Sequence, residues 1–172
     1  MNFSNLMENL ESFSLETVDD KVDELNRQAK GLEKKEKYLR TELEKCADDK
    51  PLCTSKPLTD VQERLKEIRK GLAMFHNVQD ILAWKKSDTI LCMGNRKRGY
   101  AVYDFEARLE RANESRYYRR DDYTEFIKLE ILEVTKINQK TIRVTAKSTR
   151  SKKQYLGFPS SDGSIEFYPL AS

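Results

Sequence analysis

Apolar side chains recur at alternating steps of three and four residues in two stretches of the chain. The first reads Val22, Leu25, Ala29, Leu32, Glu36, Leu39, Leu43 and the second Val61, Leu65, Ile68, Leu72, Phe75, Gln79, Leu82. That spacing keeps one seam turned towards a partner helix, so each stretch predicts a coiled-coil strand. Folding back about residue 52 sets Leu43 against Val61, Leu39 against Leu65, Glu36 against Ile68, and Leu32 against Leu72. Further down it sets Ala29 against Phe75, Leu25 against Gln79 and Val22 against Leu82. The small Ala29 then meets the large Phe75, as close packing requires. Charges beside the seam favour this hairpin over a parallel homodimer of either helix. The hairpin pairs Glu42 with Arg64 and Glu33 with Arg69, whereas parallel pairing opposes Lys35 to Arg40 and Arg64 to Arg69. Exposed pairs contribute only about 0.2–1 kcal/mol each. They select the partner, while apolar burial at roughly 25 cal/mol per Å² supplies the stability.

Pro51 and Pro57 bracket the tip, and Thr59-Asp60-Val61-Gln62 reads as a capping box that opens the second helix. Two lysines end it near Lys86, suiting the negative end of the helix dipole. Phe3, Leu6, Leu10 and Phe13 predict a short amphipathic helix over 3–13, matched to a second stripe of Met74, Val78 and Ile81 at the hairpin base. The alternative use of that stripe is a dimer contact.

From Ser87 onwards the period changes from seven to two. Strands are expected over Thr89 to Met93 and Tyr100 to Phe105, joined by the turn from Gly94 to Gly99, and then a short helix through Phe105, Leu109 and Ala112 capped by Asp104. Ile127, Leu129 and Ile131 alternate before the phase slips to Leu132 and Val134, which predicts a bulged strand. Asn138-Gln139 turns the chain into Ile142, Val144 and Ala146. Tyr155 to Phe158 follows, and Asp162-Gly163 leads into Ile165 to Tyr168. The predicted fold is α+β: an antiparallel helical hairpin over 1–86, then a small antiparallel β-barrel-like domain with one short helix over 87–172, in the size range of SH3-like or OB-type barrels.

A length of 172 residues with 38% hydrophobic and 35% charged side chains suits one ordinary domain or two small ones. The net charge of +3 is uneven: residues 1–86 carry 16 basic and 17 acidic groups, and residues 87–172 carry 16 and 12. The second half is basic enough to suggest an acidic partner and well short of a dedicated duplex binder. No run of eighteen apolar residues and no leader is visible, so a cytoplasmic chain without a membrane partner is expected. Three cysteines, Cys46, Cys53 and Cys92, and the single His76 give no zinc spacing, and free thiols and no cofactor are expected.

The usual catalytic kits are missing: there is no phosphate-cradling glycine loop, no nucleophile elbow and no histidine pair. His76 falls at a flanking heptad position and reads as a solvated helix residue. Two other regions attract interest. At the hairpin tip, Asp48 and Asp49 stand where the helix dipole disfavours acids, and with Lys50, Leu52 and Cys53 they could be presented to a pocket of a larger protein. This layout, an acidic-tipped hairpin ahead of a compact β domain, resembles that of the bacterial Gre transcript-cleavage factors. The resemblance implies a tip that reaches into a nucleic-acid enzyme and assigns no residue a role.

The second region is basic. Arg96, Lys97 and Arg98 crowd one turn, Arg116, Arg119 and Arg120 interleave with Tyr117, Tyr118 and Tyr123, and Arg150, Lys152 and Lys153 crowd another loop. Arginine beside tyrosine offers phosphate contacts and a stacking face together. The expected function is that of a non-enzymatic interaction module, a regulator, inhibitor or adaptor, bound to a larger protein partner. The alternative is nucleic-acid binding through the basic loops, with the arm serving as a homodimer contact.

Overall fold

The computed structural model describes residues 15–46, 55–113, 125–138, 141–160 and 163–170. Helices α1 (Val18–Cys46) and α2 (Lys56–Ala83) pack together as the predicted antiparallel hairpin. Each is roughly 40 Å long at about 1.5 Å per residue. Val22, Leu25, Ala29, Val61, Leu65, Ile68 and Phe75 are buried along the seam, with Leu32, Leu39, Leu72 and Leu82 half-buried against it. The expected Glu33–Arg69 ion pair forms at 3.5 Å. Glu42, expected to meet Arg64, pairs instead with Lys45 of its own helix at 3.1 Å.

Two further polar contacts cross the hairpin: Gln62 Nε2 donates to Glu36 Oε1 at 3.0 Å and Gln79 Nε2 donates to Asp19 Oδ1 at 2.6 Å. At the base of α2, Ala73, Met74, Phe75, Asn77, Val78 and Ile81 are all buried, so this end of the helix is packed on several sides. The predicted helix over 3–13 lies outside the described residues.

The capping box does not form. The second helix begins a turn earlier, after Ser55, with Pro57 in its first turn, where a missing N–H costs little. Thr59 Oγ1 donates back to the Ser55 carbonyl at 3.2 Å, and Gln62 is committed to α1. The helix also stops at Ala83, short of Lys86, because Trp84 turns extended (φ −62°, ψ 137°).

Glu36 occupies a seam position as an acid, and it is held there by Gln62 and by Arg40 at 2.8 Å. The hydrogen bond from Gln62, and then that from Arg40, keep its pKa below the ordinary carboxylate value. A lowered folded-state pKa contributes stability above the unfolded value, near 4.3, and loses it as pH falls through the folded one. Glu36→Gln should therefore cost under about 1 kcal/mol at neutral pH and distinctly less at about pH 3. Urea unfolding of both proteins at the two pH values checks this, and an equal cost at both would contradict it.

After the hairpin come β1 (Thr89–Asn95), β2 (Gly99–Val102), α3 (Tyr103–Asn113), β3 (Glu125–Lys136), β4 (Ile142–Ser148), β5 (Gln154–Pro159) and β6 (Ile165–Pro169). The strands close into a barrel in the order β1-β2-β6-β5-β4-β3, every neighbouring pair antiparallel. Closure leaves no free sheet edge. The bulge falls between Ile131 and Glu133, where the phase slip at Leu132 predicted it. β2 is shorter than expected, since Tyr103 already begins α3. Cys92, Tyr100, Leu129, Ile131, Ile142, Val144, Ala146, Ile165 and Phe167 fill the barrel. Cys92 is a free thiol whose pKa burial pushes up.

The pairing fixes which loops share an end. The β1–β2 turn, the start of β3, the β4–β5 turn and the end of β6 lie at one mouth. The α2–β1 connection, the exit from β2 into α3, the β3–β4 turn and the β5–β6 turn lie at the other.

The helices are fastened at this second end. Ser87 N–H donates to the Ile131 carbonyl and Ile131 N–H to the Asp88 carbonyl, both at 2.8 Å. Trp84 stacks on Phe105 of α3 with ring centroids 5.7 Å apart. Gly163, at φ +75°, lies flat on Met74, where a Cβ would come within 2.5 Å of the Met74 carbonyl oxygen. Met74 of the second stripe is thus met by the β5–β6 turn. Among the described residues no helix is long and apolar enough to cross a membrane.

Candidate functional site

The two described basic loops stand at the mouth remote from the helices, and each is shaped by its own side chains. In the β1–β2 turn, Asn95 Oδ1 accepts the N–H groups of Lys97 at 3.0 Å and Arg98 at 2.9 Å, a side-chain mimic of a backbone turn. Gly99 completes it at φ +90°, beneath the Tyr168 ring, which a Cβ would meet at 2.9 Å. In the β4–β5 turn, Ser148 is the anchor. Its N–H donates to the Lys153 carbonyl at 2.8 Å, its carbonyl accepts from Lys152 N–H at 3.0 Å, and its Oγ accepts from Ser151 N–H at 3.1 Å. Lys152 takes the left-handed conformation at φ 61°. Thr149 N–H donates to the Lys128 carbonyl at 3.0 Å and stitches this loop to β3.

Between the loops lies a cavity of about 470 Å³. Arg96 enters it from one loop, Arg150 and Lys153 from the other, and Lys128 from β3 between them. Tyr100, Tyr155 and Phe126 supply its aromatic wall, and Glu125 is its acid. The Tyr100 hydroxyl donates to Glu125 Oε1. Burial, reinforced by that carboxylate, pushes the Tyr100 pKa up to about 12. Burial and the charge on Glu125 likewise raise that of Tyr155, against the opposing effect of Arg96. Both phenols therefore keep their protons at neutral pH and act as donors and apolar walls rather than as bases.

Four cations thus face one carboxylate. Among the described residues none of Arg96, Lys128, Arg150 and Lys153 is held in an ion pair, whereas elsewhere Lys21, Arg40, Lys45, Arg69, Arg108 and Lys147 each have an acidic partner. Uncompensated cations around a concavity with neutral donors make a receptor for anions.

Lys97, Arg98 and Lys152 sit on the same loops without lining the cavity. Arg116, Tyr117, Tyr118, Arg119 and Arg120, and the tip residues Asp48, Asp49, Lys50 and Leu52, lie outside the described residues. The lining residues not anticipated from the sequence include all the cavity's aromatic groups, its acid and one of its cations: Tyr100, Phe126, Tyr155, Glu125 and Lys128. The signal for two of them was present, because Phe126 and Lys128 break the apolar rhythm of β3 on its outward side. His76 is a helix-surface residue, its Nδ1 2.9 Å from Gln79 Oε1. Among the described residues no group of three or more His, Cys, Asp or Glu could hold a metal ion.

Fold and site together define an α+β protein in which a helical hairpin is seated on one end of a closed six-stranded barrel and a basic cavity opens at the other. Set against protein-family models, curated proteins and solved structures, the chain finds no match.

Proposed function

We propose that this chain is a non-enzymatic interaction module, a regulator, inhibitor or adaptor, which docks its basic barrel mouth on an anionic surface of a larger protein or nucleic-acid machine and projects the hairpin from the opposite end. The observation that carries the reading is the convergence of Arg96, Lys128 and the Arg150–Lys153 turn, three segments distant in sequence, on one cavity in which no described acid pairs with any of these cations. A rigid barrel holds these groups without the entropy cost of ordering free loops on binding.

Heparin serves as a generic polyanion to test the site. The full chain should bind it and lose affinity steeply between about 50 and 200 mM salt. Reversing Arg96, Arg150 and Lys153 together to glutamate should weaken binding at least tenfold. The same charge change at Lys30, Lys34 and Lys37, exposed on α1, should leave it nearly intact. Equal losses from both sets would mean that net charge, not the mouth, binds the anion.

A further inference from the structure

We infer that the anion taken by the barrel mouth is the backbone of a single-stranded nucleic acid, with one unstacked base lodged against Phe126. This rests on the reading of the mouth as an anion site and adds the class of ligand.

The first argument is the order of groups around the rim. β3 lies between β1 and β4 in the closed barrel, so Phe126 and Lys128 stand between the Arg96 turn and the Arg150–Lys153 turn. The sequence across the mouth is cation, aromatic face, cation. A single strand offers the matching alternation of phosphate, flat base and phosphate.

The second is the state of Phe126. It is 60% exposed, among the largest apolar exposures described, and its ring already packs on one neighbour, the Tyr103 ring, edge-on at 5.9 Å. Such a ring loses little freedom when a base stacks on it.

The third is shape. Duplex grooves are read by a protruding helix or β-ribbon, whereas here the cations surround a hollow of about 470 Å³, within the roughly 300–1,000 Å³ of small-ligand pockets. A hollow admits a splayed base and not a duplex.

The fourth separates nucleic acid from an acidic polypeptide. The same cavity holds Glu125, whose carboxylate accepts a hydrogen bond from the Tyr100 hydroxyl and has lone pairs to spare. A glutamate or aspartate side chain entering the hollow would meet that charge. A base brings amine and imino donors to it instead, and leaves its phosphates to the arginines on either side.

The test is fluorescence anisotropy of the full chain with a short labelled single-stranded DNA and its RNA equivalent. The competitors are the matching duplex and polyglutamate of equal charge. The single strands should bind at least tenfold more tightly than either competitor at fixed salt. Phe126→Ala should weaken single-strand binding roughly tenfold without changing the salt slope or the affinity for heparin, and Phe126→Trp should restore it. Replacing Arg96 and Arg150 with alanine should flatten the slope of log K against log salt by about 1.4, at about 0.7 per phosphate lost. Polyglutamate bound as tightly as the single strands, or Phe126→Ala without effect while the cations still govern heparin binding, overturns the nucleic-acid assignment and leaves the anion site standing. Absence of binding to heparin and oligonucleotides alike at about 50 mM salt overturns both.

Discussion

Phe167→Ala is expected to destabilise the protein by about 3–5 kcal/mol, a large share of the roughly 5–15 kcal/mol that holds a domain folded. Phe167 lies on β6 with no exposed surface and pairs with Tyr100 on one side and Gly157 on the other. Its ring occupies the space that a side chain at 157 would need: a Cβ on Gly157 would come within 2.7 Å of it. The glycine and the ring are one packing unit. Gly157→Ala should therefore destabilise the native protein and cost distinctly less in a Phe167→Leu background, the non-additivity expected of residues in contact. Equilibrium urea unfolding of the two single variants and the double measures it. A Phe167→Ala cost under about 1 kcal/mol, typical of half-exposed sites, would place the ring outside the barrel's centre.

What the chain disclosed in advance divides by the range of the interaction involved. Steps of three and four in Val22 to Leu43 and Val61 to Leu82 are local and survive as helices. Alternation through Ile142, Val144 and Ala146 survives as the inward face of β4. The slip at Leu132 is the bulge itself. The charges beside the seam were legible in part: Glu33 meets Arg69 as the two frames require, whereas Glu42 turns to Lys45 of its own helix, because an exposed side chain has a local partner within reach. The capping box failed by competition: Pro57, with its fixed φ, serves an earlier first turn and leaves Gln62 for Glu36.

The candidate site was visible as residue types and not as a place. Arg96 and Arg150 are separated by more than fifty positions, and only the closure that sets β3 between β1 and β4 puts them around one cavity. Closure also depends on the β2–β6 pairing, Tyr100 with Phe167, which no periodicity encodes. Glu125, Phe126 and Lys128 become neighbours of both loops by that same event.

At the other end of the barrel, Arg108→Ala is expected to cost about 2–4 kcal/mol, more than a one-third exposed arginine ordinarily contributes. Arg108 Nη1 donates to Asn77 Oδ1 at 3.0 Å, Nη2 pairs with Asp80 at 2.9 Å, and the guanidinium lies 5.6 Å from the Phe105 ring. Asp80 is nearly half exposed, so its share is small, and the cation–π contact contributes about 0.5–1 kcal/mol. The larger part comes from Asn77, which has no exposed surface and whose Nδ2 has no hydrogen-bond partner among the described residues. Without Arg108 its carbonyl oxygen is stranded as well, at about 1–3 kcal/mol. Removing both polar partners is a different matter. Asn77→Leu with Arg108→Met should be close to neutral in chemical denaturation, since paired polar groups can be exchanged for apolar ones of similar size. The directional bond between α2 and α3 would still be gone, so the expected difference lies in geometry: spin labels at the exposed Tyr38 and Phe158 should give a broader distance distribution in the double variant than in the native chain. A double variant as unstable as Arg108→Ala would show that the pair supplies stability; equal distributions would show that Trp84 on Phe105 and the Ser87–Ile131 bond suffice to fix the angle of the arm.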